Sequence, residues 1–209
     1  MIAVVDYGAG NLHSVCNALN FLGAENEVTA DAARIRAADA VLLPGVGAFG
    51  DAMAAMRVRG LAEVVTETAR DAADADSVGG KPFLGICLGM QLLFDSSQES
   101  PGVPGLSVFP GEVLRIPALG LKVPHIGWNS LTLTQPAGIL HALPPRSYVY
   151  FVHSYYLKAA NRDIVAAKTQ YAVEIDAAIA VGKLFASQFH PEKSGDIGMD
   201  LLAQWLKTI

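Results

Sequence analysis

Pro82-Phe83-Leu84-Gly85-Ile86-Cys87-Leu88-Gly89-Met90-Gln91 is the stretch on which the reading of this chain turns. Its apolar beginning predicts a short buried strand. Met90-Gln91-Leu92-Leu93-Phe94 predicts a helix. A cysteine between glycines at a strand-to-helix turn has the form of a nucleophile elbow, with sulfur in place of a serine oxygen. Glycine suits a turn this sharp because it leaves room where side chains would collide. The start of a helix offers unsatisfied N–H groups and a dipole that favours a thiolate. The same residues also fit a small buried hydrophobe between two packing glycines. The rest of the chain decides between these readings.

Working outward, strand-like and helix-like segments alternate through the first half. Ile2 to Val5 is an apolar run, as expected of a parallel strand covered on both faces. Gly8-Ala9-Gly10-Asn11 predicts a turn, with Asn11 as N-cap of a helix Leu12 to Leu22 that ends at Gly23. Asn26 to Ala30 is a weaker strand candidate. Ala40 to Leu43 is a clear strand, followed by the turn Pro44-Gly45-Val46-Gly47, a helix from Gly50-Asp51 onward and a helical stretch Leu61 to Ala69. Asp71 to Gly80 is polar and small and predicts a loose connection. In the second half, prolines punctuate short strands: Gly111 to Ile116, Ser147 to Tyr156 and Lys183 to Phe189. A helix over 196–206 closes the chain. The pattern predicts a single-domain α/β fold over 1–209, with a central, mostly parallel or mixed sheet and helices on both faces.

The 209 residues are 52% hydrophobic and carry a net charge of −5, which gives ample core and argues against a nucleic-acid partner. No apolar run reaches bilayer-spanning length, so no membrane partner is expected. The N-terminus lacks the basic region and apolar core of a signal peptide. Two cysteines, Cys16 and Cys87, form no disulfide framework; Cys16 lies on an apolar helix face and is expected to fill core. A cytoplasmic protein is expected.

A cysteine nucleophile needs a base, and the base needs an orienter. Gln188-Phe189-His190-Pro191-Glu192-Lys193-Ser194 offers both. His190 ends a predicted strand, Pro191 stops the ladder, and Glu192 is close enough to stand behind the imidazole. His190 could hold a proton taken from Cys87, with Glu192 fixing its tautomer. The turn Pro44–Gly47 lies at the carboxyl end of a strand beside the elbow, where ligands bind in such sheets. A glycine-rich turn there can aim a backbone N–H at an oxyanion. His13, His125, His141 and His153 lack metal-ligand spacing, and there is no C-x-x-C, so no metal is expected. Neither a G-x-G-x-x-G nor a Walker-type G-K-[ST] is present, and no nucleotide or other cofactor is expected.

Gly85–Gln91 and His190-Pro191-Glu192 resemble, in order and spacing, the two signature motifs of the class I (triad) glutamine amidotransferases. Pro44–Gly50, Lys122-Val123-Pro124-His125-Ile126-Gly127-Trp128-Asn129, Tyr150-Phe151-Val152-His153-Ser154-Tyr155 and Gln188–Ser194 narrow the likeness. Together they are similar to the glutaminase-subunit family of imidazole glycerol phosphate synthase, of histidine biosynthesis. The resemblance covers essentially the whole chain. It implies the amidotransferase fold, and a Cys87 thiolate that attacks glutamine, with His190 and Glu192 completing the triad. It implies oxyanion stabilisation by Leu88 and the Val46–Gly47 turn, and glutamine binding by Gln91, Ser154 and Tyr155. It implies a heterodimer with a cyclase subunit, a (β/α)8 barrel that receives ammonia and forms imidazole glycerol phosphate and a carboxamide by-product. Asn11, Trp128, Asn129, Tyr150 and Lys193 match interface or coupling positions.

Two stretches depart from the family pattern. The connection Asp71 to Gly80 is longer, as a surface insertion would be, and Tyr171-Ala172-Val173-Glu174-Ile175 lacks a glycine and a phenylalanine. Three rival readings are weaker. A glutaminase serving another synthase is disfavoured by Pro-His-x-Gly-Trp-Asn. A catalytically dead scaffold has no need of Cys87, His190 and Glu192 together. An α/β-hydrolase places its acid between nucleophile and histidine, whereas Glu192 follows the histidine here.

Overall fold

The computed structural model describes residues 1–8, 11–77, 80–134 and 138–209. The first half alternates strand and helix: β1 (Ile2–Val5), α1 (Leu12–Phe21), β2 (Asn26–Thr29), α2 (Ala32–Ala37), β3 (Ala40–Leu43), α3 (Phe49–Val58), α4 (Leu61–Ala73), β4 (Phe83–Ile86) and the one-turn α5 (Leu88–Gln91). The second half is strand-rich: β5 (Ser96–Ser97), β6 (Gly111–Arg115), β7 (His125–Ser130), β8 (Thr132–Leu133), β9 (Tyr148–His153), β10 (Tyr155–Ala159), β11 (Val165–Tyr171), β12 (Val173–Val181) and β13 (Leu184–Ser187), before the closing α6 (Gly195–Leu206).

An eight-stranded sheet of order β2-β1-β3-β4-β13-β12-β11-β8 runs through the centre. Its first five strands are parallel and the rest antiparallel, the mixed α/β sheet that the sequence pattern predicts. The apolar runs are buried on both faces. Ala3, Val5, Val41 and Leu43 face α2, α3 and α4 through Ile35, Met53, Leu61 and Val64. Ile2, Val4, Leu42 and Leu84 face α1 and α6 through Val15, Leu19, Leu201 and Trp205. No helix among the described residues is long and apolar enough to cross a membrane.

Several local expectations are corrected. Asn11 occupies the N-cap of α1, but its side chain makes no cap hydrogen bond. Two residues of its turn, Ala9 and Gly10, lie outside the described residues. Gly23 ends α1 at φ +74, its N–H bonded to Asn20 O. Residues 71–73 belong to α4, whose alanines pack on the sheet, and not to a loose connection; Val78 and Gly79 of that stretch lie outside the described residues. The run from Ser147 to Tyr156 is two strands that part at Ser154, and β10 turns away to pair with β6. β11 and β12, for which the sequence pattern predicts no strands, form a hairpin around Ala172 at φ 59, within the stretch 171–175 that lacks the family's glycine and phenylalanine. The last parallel strand stops at Ser187, so His190 stands three residues beyond it, at the head of the 3-10 turn Pro191–Lys193. Cys16 is half-buried at the margin of the α1–α6 core.

Candidate active site

β4 delivers Cys87 into the turn before α5 at φ 53, ψ −109, a strained conformation for a non-glycine residue. Two glycines make the turn possible. A Cβ on Gly89 would stand 2.0 Å from Leu43 O, and one on Gly45 would meet the Tyr7 hydroxyl at 2.6 Å and Leu88 Cβ at 2.8 Å. The Cys87 N–H donates to Ser187 O at 2.7 Å, tying the elbow to β13. Because α5 is a single turn, its macrodipole is small. The local geometry of the elbow, not a long helix, sets the environment of the sulfur.

The chain beyond β13 brings His190 beside Cys87. His190 and Glu192 side chains are buried, and His190 Nδ1 lies 2.8 Å from Glu192 Oε1. A carboxylate only accepts, so Nδ1 carries the proton. His190 Nε2 and Glu192 Oε2 have no hydrogen-bond partner among the described residues. Burial by itself would lower the pKa of His190. The adjoining Cys87 sulfur and Glu192 carboxylate together outweigh it and raise it to about 9. The turn carrying His190 is laced to β9: His190 N–H donates to Tyr150 O at 3.0 Å, Ser194 Oγ donates to His190 O at 2.7 Å, and Tyr150 N–H donates to Ser194 Oγ at 3.0 Å.

Cys87 opens onto a cleft of about 310 Å³. Val46, Gly47, Leu88, Gln91, Ser154 and Tyr155 line it with Cys87, so every residue expected to bind glutamine or its oxyanion borders one space. Glu99, Pro124, Val152 and His153 complete the wall. Gly47 is at φ +104. The Leu88 N–H donates to Gly45 O at a long 3.4 Å, and the Tyr7 hydroxyl donates to Pro44 O at 3.0 Å. Burial, reinforced by Cys87, holds the Tyr7 phenol well above its ordinary pKa.

The residues expected at an interface are not among those that line the cleft. β7 and β9 form a separate two-stranded ribbon, with Trp128 opposite Tyr150 and His125 opposite His153. The strand period of two divides its faces. Val149, Phe151, His125 and His153 are buried, whereas Ile126, Trp128 and Tyr148 are 60%, 55% and 58% exposed. Trp128 packs edge-on against Tyr150. Asn129 Nδ2 donates to Gln170 O at 3.0 Å, which fixes it to β11. Lys193 ends the turn that follows His190, and Asn11 precedes α1; both are half-buried.

Residues 3–208 match the sequence profile of the family Glutamine amidotransferase class-I. The imidazole glycerol phosphate synthase subunit HisH of Methanothermobacter thermautotrophicus is 50% identical over 209 residues, spanning 100% of this chain and 99% of that protein. The HisH subunit of Moorella thermoacetica is 47% identical, spanning 96% and 91%. The chain belongs to the class-I glutamine amidotransferase family, among its HisH subunits. Solved structures share the fold: a glutamine amidotransferase at 21% identity superposes with a TM-score of 0.75 over 100% of this chain and 98% of that one. A structure of PurLQS from Thermotoga maritima, 19% identical, gives 0.68 over 99% and 97%.

For a class-I amidotransferase, the site holds more polar apparatus than the motifs announce. Gln188, quoted above only as a neighbour of the histidine, is fully buried and donates from Nε2 to Cys87 Sγ at 3.6 Å. His125 Nδ1 and His153 Nε2 are 3.0 Å apart, and His153 Nδ1 lies 2.9 Å from Tyr155 O. Burial pushes His125 down to about 4 and His153 to about 3, so both rings are neutral near pH 7. The signal in the sequence was composition: glutamine and histidine within or just beyond strands otherwise apolar enough to be buried, where polar groups need partners. Among the described residues, no cluster of three or more His, Cys, Asp or Glu side chains could hold a metal ion.

Proposed function

We propose that this chain, as one amidotransferase domain over residues 1–209, is the cytoplasmic glutaminase subunit of an imidazole glycerol phosphate synthase, with Cys87, His190 and Glu192 as its triad. The observation that carries the reading is the convergence on one cleft of a strained cysteine elbow, a buried His–Glu pair and Gln91, Val46, Gly47, Ser154 and Tyr155. A cleft of about 310 Å³ suits an amino-acid-sized substrate.

The Cys87 thiolate attacks the side-chain carboxamide carbon of glutamine. A C–S bond forms as the carbonyl electrons move onto oxygen. The Leu88 N–H and the Val46–Gly47 turn stabilise that oxyanion. Leu88 is held only weakly by Gly45 O, so this carbonyl gives way when the oxyanion forms. The His190 imidazolium protonates the departing nitrogen, and ammonia leaves a thioester. Neutral His190 then takes a proton from water, hydroxide attacks the thioester, and glutamate departs with Cys87 restored as thiolate. Glu192 holds the imidazole tautomer throughout. Gln91 and the Ser154–Tyr155 backbone hold the α-amino and α-carboxylate groups.

Ammonia released into water at neutral pH becomes mostly ammonium, which is not nucleophilic, so synthesis requires direct transfer to an acceptor site. The exposed apolar face of the β7–β9 ribbon, with Trp128 and Tyr150, supports docking of a (β/α)8 cyclase subunit, aided by Asn11 and Lys193 and by Asn129, which fastens the ribbon to β11. Glutamate release from glutamine, with and without the cyclase and its ligand, tests the reading. Strong stimulation by the liganded cyclase is expected. A rate indifferent to that partner would redirect the chain to another synthase, and no glutamate under any condition would leave a binding scaffold.

A further inference from the structure

We propose that Gln188 is a positioning residue for the nucleophile: it donates a hydrogen bond to the Cys87 sulfur, and its amide is locked in that orientation through Gln91 by the Tyr155 carbonyl. The orientation follows from chemistry, in three steps. The Tyr155 carbonyl can only accept, so the Gln91 atom 2.9 Å from it is the nitrogen, Nε2. That nitrogen has a second proton, and the Gln188 atom 2.9 Å away from it must be the oxygen. The remaining end of Gln188, its NH2, therefore faces Cys87 Sγ, at 3.6 Å. Tyr155 O is itself fixed from another side, because the donor at 2.9 Å is His153 Nδ1 and the neutral His153 ring takes its second bond from His125.

A donor that cannot turn round stabilises the thiolate over the thiol. Gln188 is fully buried and Gln91 is 5% exposed, so water competes little for these bonds. Among the described residues, other ionisable groups stand around the sulfur or its cleft: His190 with Glu192 behind it from the turn after β13, Tyr7 from the end of β1, and Glu99 across the cleft. His153 borders the same cleft. Only His190 among them can supply a positive charge; Gln188 adds a neutral donor that does not titrate and does not leave with a proton.

The inference rests on Cys87 being the nucleophile, and the test separates the two. The rate of iodoacetamide labelling of Cys87, followed by mass spectrometry of its peptide, is measured against pH in the full chain. Gln188→Met keeps the volume and removes the donor; its labelling midpoint rises by about one pH unit. Gln188→Glu still accepts from Gln91 but faces the sulfur with a carboxylate, and its midpoint rises further. A purely structural role would give no such order. An unchanged midpoint in Gln188→Met, or a Gln188→Glu midpoint no higher than that of Gln188→Met, overturns the proposal. Should Gln188→Met fail to fold, Gln91→Met carries the test, since it frees the Gln188 amide to present its oxygen. A raised midpoint then supports the lock, and an unchanged one overturns it. A wild-type Cys87 that is no more reactive than Cys16 would instead remove the nucleophile itself.

Discussion

Cys87 is at φ 53 because the fold demands it, and the residues around it explain how that demand is met. Gly89 is the sharpest case, with Leu43 O where a Cβ would stand. Gly89→Ala is expected to lower stability by about 2–3 kcal/mol or more, since backbone rather than a flexible side chain must yield. Urea unfolding measures it, and an unchanged midpoint would contradict the packing described. His190 gives a pH signature. Its pKa in the fold, about 9, lies above the ordinary 6.5. The charged ring's contribution to stability is complete below about pH 6.5 and fades as the pH rises through about 9. Glu192→Gln removes one partner of that cation, so its melting temperature should fall further below wild type near pH 6 than near pH 9.5. Glutaminase rate should drop by about 10³–10⁴-fold, the scale on which a triad orienter acts. An equal melting gap at both pH values would separate Glu192 from the imidazolium. At this scale the cysteine, histidine and glutamate were legible, because reactive residue types beside glycine and proline are conspicuous. The roles of Gln188 and the His125–His153 pair were not, because hydrogen bonds between residues 101 and 28 positions apart leave no local pattern.

At the scale of elements, the parallel half of the sheet was plain in the sequence, since strands buried on both faces are continuous apolar runs. The antiparallel half was harder. β11 and β12 mix Lys168, Gln170, Glu174 and Asp176 among apolar residues, and their one-residue turn at Ala172 lacks the glycine that would have marked a hairpin. Alanine in the left-handed region is strained, so Ala172→Gly should raise stability by up to about 1 kcal/mol. A loss in thermal unfolding would mean that the turn is not strained. The lacing of the His190 turn to β9 is also an element-scale feature. Ser194 Oγ serves both His190 O and Tyr150 N–H, and Ser194 is buried. Ser194→Ala leaves both backbone groups short of a partner. It should cost about 1–3 kcal/mol and slow glutamine hydrolysis through misplacement of His190. A full-rate, fully stable variant would show that the turn holds itself.

At the scale of the molecule, the two-faced ribbon β7–β9 links an outer surface to the site. Its inner face carries His153 to the cleft wall, and the backbone of Tyr150 holds the His190 turn. Its outer face exposes Ile126, Trp128 and Tyr148 along its length. Trp128→Ala should leave the melting temperature of the isolated chain unchanged while weakening the cyclase complex about 30-fold, the effect of losing a roughly 2 kcal/mol aromatic anchor. Calorimetric titration checks it, and unaltered affinity would move the docking face elsewhere. The sequence singled out this segment through its likeness to known subunits; the alternation of buried and exposed residues leaves its apolar side chains on the surface.

In the proposed function, Cys87 generates ammonia for a second active site. The most direct measurement is product formation by the complex carrying Cys87→Ala, supplied with either glutamine or ammonium salt. Glutamine-dependent synthesis should be abolished while ammonium-dependent synthesis proceeds at the wild-type rate. Persistent glutamine-dependent synthesis, or loss of both, would contradict it.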